Sequence, residues 1–507
     1  MNASLNAGRR ARELDELDGR GPVDVLVIGG GVTGAGVALD AASRGLSVVL
    51  AEKHDLAFGT SRWSSKLVHG GLRYLASGSV GIAHESAVER GILIDRTAPH
   101  LVRPLPQVVP LLPETGRAGA AVVRAGFLAG DALRAAAGTS AHRLPPSRRI
   151  TRAEVRRYAP TVRTDGLRGG LLAWDGQLQD DARLVVALAR TAAAHGARVL
   201  TRCAGEQVTG RGAVLRDGLT GRGHDVDARI VINATGVWAG QVAPGIALRP
   251  SRGTHLVLSR ESFGGLGAGL MVPVPGERNR FVFALPSPEG RVYIGLTDEE
   301  AEGEIPDVPR ASEQEVDFLL ETVGTALREP LSRADVLGTY SGLRPLLDSG
   351  TGRTADVSRK HAVITAPDGL VTVVGGKLTT YRRMAQDALD AALARTALTA
   401  GVCRTRRLPL VGAGSPAELA AVRAPQRLLG RYGTEAAAVL AGAGGDELAP
   451  IAEGIETTGA ELRFAVRHEG ALDESDLLDR RTRIGLAEDD RRRALPIARE
   501  YAAVARE

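Results

Sequence analysis

"VDVLVIGGGVTGAGVALDAASRGLSVVLAEK", residues 23–53, sets an apolar run against a cluster of glycines. Val25 to Ile28 is uninterrupted and apolar, as in a parallel strand buried on both faces. Gly29-x-Gly31-x-x-Gly34 follows, and Val37 to Ala42 continue as a helix that Arg44-Gly45 ends. "SVVLAE" is a second strand, closed by Glu52 18 residues after Gly34. This order is what a dinucleotide needs. Gly29 makes the tight turn, Gly31 lets backbone approach a pyrophosphate, and Gly34 lets helix and strand pack closely. The helix start offers free N–H groups and a positive dipole end to phosphates. Glu52 is placed to accept hydrogen bonds from ribose hydroxyls.

A chain of 507 residues corresponds to about two to four domains and buries a large core without disulfides or metals. Its two cysteines, Cys203 and Cys403, stand in unrelated contexts, so no metal site is expected and a reducing, cytoplasmic setting fits. The charged start "RRARELDELDGR" does not read as a signal peptide. No apolar run reaches the roughly 18 residues of a membrane span. The net charge of +5 comes from basic residues interleaved with acids, as on a solvated surface, and only 3% of residues are aromatic. Nucleic acid is therefore not an expected partner. Only four of the 64 basic residues are lysines: Lys53, Lys66, Lys360 and Lys377. In an arginine-dominated chain these positions suit a compact ammonium, although chance would also leave a few.

Along the chain, 80–98 reads as helical, while the proline-rich "PHLVRPLPQVVPLLP" (99–113) cannot be a long helix. "RAGAAVVRAGFLAGDALRAAAG" (117–138) suits a core helix or one touching lipid headgroups, and the core is the expectation. Residues 180–203 read as helix, glycine break and strand, and "RIVINATG" as a strand running into Gly236. Residues 246–345 alternate short strands with Gly/Pro turns, interrupted by a helix near 312–328. "GLVTVVGGKLTTYRRMAQDALDAAL" (369–393) is again strand, Gly-Gly turn and helix. The dinucleotide unit is thus revisited at 23–75, 228–240 and 369–390, which suits a long cofactor lying across a split domain. The expected fold is α/β: a split Rossmann-like FAD-binding domain, an inserted mainly antiparallel substrate-binding sheet and a C-terminal helical domain. The expected boundaries are an extension at 1–20, FAD-binding parts at 21–98, 181–245 and 339–398, a substrate or cap region at 99–180, a substrate-binding domain at 246–338 and the helical domain at 399–507.

"GTSRWSSKLVHGGLRYL", "NATGVWA", "RPSRGTHLVL", "YSGLRPL", "GGKLTTYRRMA" and "AVRHEGALDESDLLDRRTRIG" together resemble the FAD-dependent glycerol-3-phosphate dehydrogenases over nearly the whole chain. The resemblance implies FAD held by Gly29, Gly31, Thr33, Gly34, Glu52, Lys53, Ser64, Ser65, Lys66, His69, Gly70, Gly71, Ala234, Thr235, Gly236, Gly375, Gly376, Lys377, Leu378 and Thr379. It implies His255 as the base, and Arg344 and Arg73 as clamps on the phosphate or alkoxide. Tyr74, Arg280, Arg359 and Lys377 complete the implied substrate pocket. Glycerol 3-phosphate is the implied substrate and a quinone the implied acceptor. Peripheral contact with the inner face of the membrane is expected, and a homodimer is compatible with the resemblance. An oxygen-using oxidase, a related amine or hydroxy-acid oxidase and, more distantly, a nucleic-acid-directed flavoprotein are the alternatives. Leu296, Gln179 and Gly240 depart from the family's usual residues, and Leu296 bears on the flavin pocket.

Overall fold

The computed structural model describes residues 2–19, 21–71, 74, 78–277, 280–348 and 360–504. The strand Val23–Ile28 pairs in parallel with Val48–Ala51 on one side and Gly223–Asn233 on the other. Val371–Val374 and Arg198–Leu200 extend the sheet in parallel at its two ends. All three stretches expected to form the dinucleotide unit thus supply parallel strands to this sheet, and Arg198–Leu200 adds one from outside them. Cys203–Thr209 and Gly212–Asp217 add an antiparallel meander, and Ala362–Thr365 adds an antiparallel edge.

The helix Val32–Ser43 follows the first strand, and every residue in it except Thr33 is buried. It is covered by the helices Asp181–Ala194 and Tyr381–Leu393. Such burial requires small residues. A Cβ on Gly34 would stand 1.9 Å from the carbonyl oxygen of Gly29, and one on Gly36 would stand 2.9 Å from the Tyr381 ring. Gly29 itself has φ +108, which L side chains rarely adopt.

The second sheet is mixed and mainly antiparallel. Ser251–Ser259 lies between Arg291–Gly295 and Val336–Arg344. Beyond Arg291–Gly295 come Phe281–Pro286 and Gly269–Pro273. Gly269–Pro273 pairs in parallel with Val102–Pro110, which runs antiparallel to Gly170–Leu178 along its whole length. Regions 99–180 and 246–338 thus build one sheet. Val336–Arg344 belongs to it too, so pairing assigns residues 339–344 to the substrate side. The helix Glu313–Gly324 packs on this sheet through Val316, Leu319, Leu320 and Val323.

The helix Gly116–Ala136 overturns the expectation of a core helix. Phe127 is its sole buried residue, while Val122 and Leu128 are 58% and 50% exposed. Its alanines and glycines are too small to demand a partner; Arg117 is exposed, while Arg124 and Arg134 lie along the surface on Ser147 Oγ and the Thr139 carbonyl. At the N-terminus, Ala7–Asp15 forms a helix, and Leu5 exchanges backbone hydrogen bonds with His468 and Gly470 of the C-terminal region. That region is helical, with one small hairpin of Pro450–Ala452 and Ile455–Thr458.

Gly34→Ala tests the helix–strand contact. With backbone rather than a flexible side chain in the way, the variant is expected to lose about 2 kcal/mol or more of stability. A lower Tm in thermal unfolding checks this; an unchanged Tm excludes the contact.

Candidate active site

Both sheets open onto a cavity of about 1560 Å³. At one end the turn after Val23–Ile28 meets Glu52, whose carboxylate accepts from Gly30 N–H at 2.6 Å and His54 N–H at 2.8 Å. Burial nevertheless pushes this carboxyl above its ordinary range. His54 stacks on Phe58 at 3.9 Å between ring centroids. Gly31 and Thr33 line the wall here, as do Lys53 and the Ala234–Thr235–Gly236 turn. Gly375 and Gly376, with φ +75 and +73, line it further along and lead through Lys377, Leu378 and Thr379 into the helix Tyr381–Leu393.

At the other end the paired strands Ser251–Ser259 and Val336–Arg344 present alternate residues to the cavity. Gly253 and His255 line it from one strand, Gly342 and Arg344 from the other, as the two-residue period of a strand requires. Gly253 makes room: a Cβ there would meet Arg344 Nη2 at 2.2 Å. The Arg344 guanidinium donates to Ser251 Oγ at 3.0 Å, Asp298 Oδ1 at 3.3 Å and the Thr297 carbonyl at 3.2 Å. Any anion it binds therefore shares it with Asp298.

His255 is 1% exposed. Its Nε2 lies 2.8 Å from Ser65 Oγ, and its Nδ1 is buried without a hydrogen-bond partner. Its ring stacks on Tyr340 at 4.7 Å and 9°. Burial holds the imidazole pKa well below its ordinary value, aided by the charges of Lys66 and Arg344 and opposed by Asp181. The ring is thus a neutral imidazole at neutral pH, as a proton acceptor must be.

Ser64, Ser65, His69, Tyr74 and Arg280 also line the cavity. Lys377 Nζ hydrogen-bonds Ser86 Oγ and lies 4.2 Å from the Tyr74 ring centroid. Four residues expected on the cofactor do not line the cavity. Gly34 is spent on helix packing. Gly70 and Gly71 make room for protein instead: a Cβ on Gly70 would strike the Arg90 guanidinium at 2.5 Å, and one on Gly71 would meet Tyr74 at 3.1 Å. Lys66 is turned into the interior, 3% exposed, with its ammonium on Asp181 at 3.0 Å. Arg73 and Arg359 lie outside the described residues.

Sequence reasoning missed Trp63, Gln107, Asp175 and the helix Gly116–Ala136, all on the cavity wall. It also missed Asp181, which accepts from Ser64 N–H at 2.9 Å and Ser64 O–H at 2.8 Å. An acid opening a helix reads as an ordinary cap, so "DDAR" carried no distinct signal.

The residues present fit an extended dinucleotide. Backbone and small side chains form the turn side of the cleft, a carboxylate closes one end, and the helix Val32–Ser43 begins at the wall with no side-chain cap on Gly31. Joined to a substrate sheet with a buried neutral histidine, this defines a flavin-dependent oxidoreductase. Comparison agrees. The family described as FAD dependent oxidoreductase matches residues 24–382, and the C-terminal domain of alpha-glycerophosphate oxidase matches 403–506. Glycerol-3-phosphate dehydrogenase 1 of Mycobacterium tuberculosis (strain H37Rv) is 59% identical over 99% of this chain and 98% of its own length. The mitochondrial glycerol-3-phosphate dehydrogenase of Arabidopsis thaliana is 35% identical over 92% of this chain and 80% of its own. The crystal structure of the Bacillus halodurans glycerol-3-phosphate dehydrogenase complexed with FAD superposes with a TM-score of 0.75, at 27% identity, covering 98% of this chain and 94% of that one. The chain belongs to the FAD-dependent oxidoreductases, in the glycerol-3-phosphate dehydrogenase family, and its cofactor is FAD.

Gly31→Val tests the cofactor path. A Cβ at Gly31 already meets Ser61 Oγ at 3.1 Å, and valine's branches point beyond it. The parent protein is expected to be yellow and to release FAD on denaturation, and the variant to be purified nearly colourless. Recovery of a fully flavinylated variant would overturn this path.

Proposed function

We propose that this protein oxidises sn-glycerol 3-phosphate to dihydroxyacetone phosphate and passes the electrons to a quinone. The observation that carries the reading is the joint placement of His255 and Arg344 on one face of one strand pair, lining the same cavity as the dinucleotide turn. FAD, held along the turn after Val23–Ile28 and the Ala234–Gly236 and Gly375–Thr379 segments, would supply the acceptor for the hydride on C2. His255 takes the hydroxyl proton as that hydride departs, so a ketone forms with atoms and charge balanced. Ser65, 2.8 Å from Nε2, fixes the ring's direction. Arg344 binds the phosphate end, with Arg280 and Lys377 adding positive charge to the same cavity. Arg73 belongs to the same proposal by resemblance alone.

The quinone is supported by the cavity's apolar side. Val123 and Phe127 of the exposed helix Gly116–Ala136 pack in one apolar cluster with Met271, Phe281 and Phe283, and all five line the cavity together with Val122. A lipid-soluble acceptor suits such a wall, and the helix's exposed Arg117 and Leu128 suit the headgroup layer of a membrane. No helix among the described residues is long and apolar enough to cross a membrane. Contact with the inner face of the membrane is therefore peripheral in this reading, and a homodimer is compatible with it.

Anaerobic flavin reduction tests the assignment. Glycerol 3-phosphate is expected to reduce the flavin far faster than glycerol. Arg344→Met is expected to lose about 2–5 kcal/mol in kcat/KM with FAD content intact, the usual cost of breaking a buried charged contact. Equal rates with glycerol and its phosphate would refute the anion site.

His255→Gln keeps similar bulk but accepts no proton in the working range. Reduction is expected to slow by about 10²–10⁴-fold, with much less change in substrate affinity. In the parent, kcat/KM is expected to rise with pH through the histidine's titration and then level off. Because the pKa is depressed, that limb lies below pH 6.5. The limb vanishes in the variant. A variant within a few-fold of the parent rate, with the same limb, makes another group or a water the base.

A further inference from the structure

Lys66 is one of four lysines in the chain, and its ammonium is enclosed. All three of its N–H groups are engaged: with Asp181 Oδ2 at 3.0 Å, the Ser64 carbonyl at 3.1 Å and the Arg62 carbonyl at 3.2 Å. The same ammonium lies 4.5 Å from the centroid of the Tyr340 ring on which His255 stacks. The next residue along the chain from its carbonyl partner Ser64 is Ser65, which hydrogen-bonds His255 Nε2. Asp181 holds this segment from the other side, accepting both donors of Ser64.

We propose that Lys66 and Asp181 are positioning residues for His255: through Ser64–Ser65 they fix the ring, and Asp181 anchors the Lys66 ammonium beside the Tyr340 ring on which the imidazole stacks. This rests on His255 as the base, but the ring's titration is observable without that assumption. On the strand of His255 the one other charge, Arg252, points to the opposite face and is held by Glu315 at 2.9 Å. Arg344 and Tyr340 face it from Val336–Arg344, Tyr293 from Arg291–Gly295, Ser65 and Lys66 from the 64–67 segment, and Asp181 from its helix. Behind Lys66 stand Asp180 and Arg483. Of these, Lys66 and Arg344 oppose protonation of the ring, Lys66 more strongly, and Asp181 favours it less strongly than either opposes it. Burial lowers the Lys66 ammonium to about 8, with Asp181 opposing the fall. It therefore carries its charge throughout the histidine range.

The test compares the FAD-loaded parent, Lys66→Met and Lys66→Met/Asp181→Asn. The His255 titration is followed by histidine NMR, with His255→Gln for assignment, and the acid limb of kcat/KM is measured on the same proteins. The midpoint is expected to rise by about one pH unit or more in Lys66→Met, since removing a like charge and exposing an opposite one both favour imidazolium. The double variant is expected between the single variant and the parent. It exchanges a buried ion pair for neutral residues of similar size and so keeps its fold where the single variant fails. In that event, a double-variant midpoint above the parent still supports the proposal. Equal NMR midpoints in parent and variants, or a fall on removing Lys66, overturn it. An NMR midpoint that moves while the acid limb stays put leaves the lysine's role intact and removes His255 as the base.

Discussion

Asp181 is the point on which the two halves of the active site depend. It opens a helix of the nucleotide-binding half, yet it accepts from the segment that leads into the substrate sheet. Ionised although fully buried, it is tolerable only because Lys66, Arg483 and Ser64 surround it. Burial works against the charge, but these partners, Lys66 foremost, bring the carboxyl down to about 2. Breaking one partner would strand the others, so the segment from Ser64 to Lys66 has one stable position.

The same principle extends outward to the C-terminal region. Asp55, three residues past Glu52, accepts from Arg480 at 2.7 Å and from both ends of the Arg481 guanidinium at 2.8 Å. Burial opposes ionisation there too, and Arg481 and Arg480 outweigh it, holding the carboxyl far below its usual range. Arg483 reaches the Arg62 carbonyl and faces Asp180 and Asp181. The C-terminal helices contribute nothing to the cavity lining among the described residues. Their arginines instead fix both ends of the 55–66 loop that does line it. This gives the C-terminal "DLLDRRTRIG" a physical purpose.

Much of the fold was legible because it rests on local signals. The apolar runs at 25–28 and 230–232 and the glycine turns after 28 and 374 each declare their own geometry. The 99–113 stretch declared what it was not. Its prolines deny a helix, but Pro104, Pro106 and Pro110 share one parity, so the missing N–H groups fall on one edge of a strand. The helix 116–136 misled because alanine and glycine fit a core or a surface equally well. Within the site, the dinucleotide turn was legible from spacing, whereas His255 and Arg344 were legible only through resemblance. Their meeting depends on a strand register, Ser251 opposite Arg344, that no local pattern encodes. Lys66 stands out by composition as one of four lysines, but sequence does not say which way a side chain points, and its ammonium turns to Asp181 rather than to the cavity.

The interleaving of the two sheets bears on how the chain reaches its native state. The central strand Val23–Ile28 waits for Gly223–Asn233, about 200 residues later, and that strand waits for Val371–Val374. The substrate sheet joins strands near 105, 175, 255 and 340. Contact order is therefore high, and loop closure must precede most of the stabilising contacts. On the ribosome, neither sheet can be completed until more than two-thirds of the polypeptide has emerged. Until then the apolar edges of the early strands stand open, so newly made chains pass through a long interval in which shielding by chaperones matters.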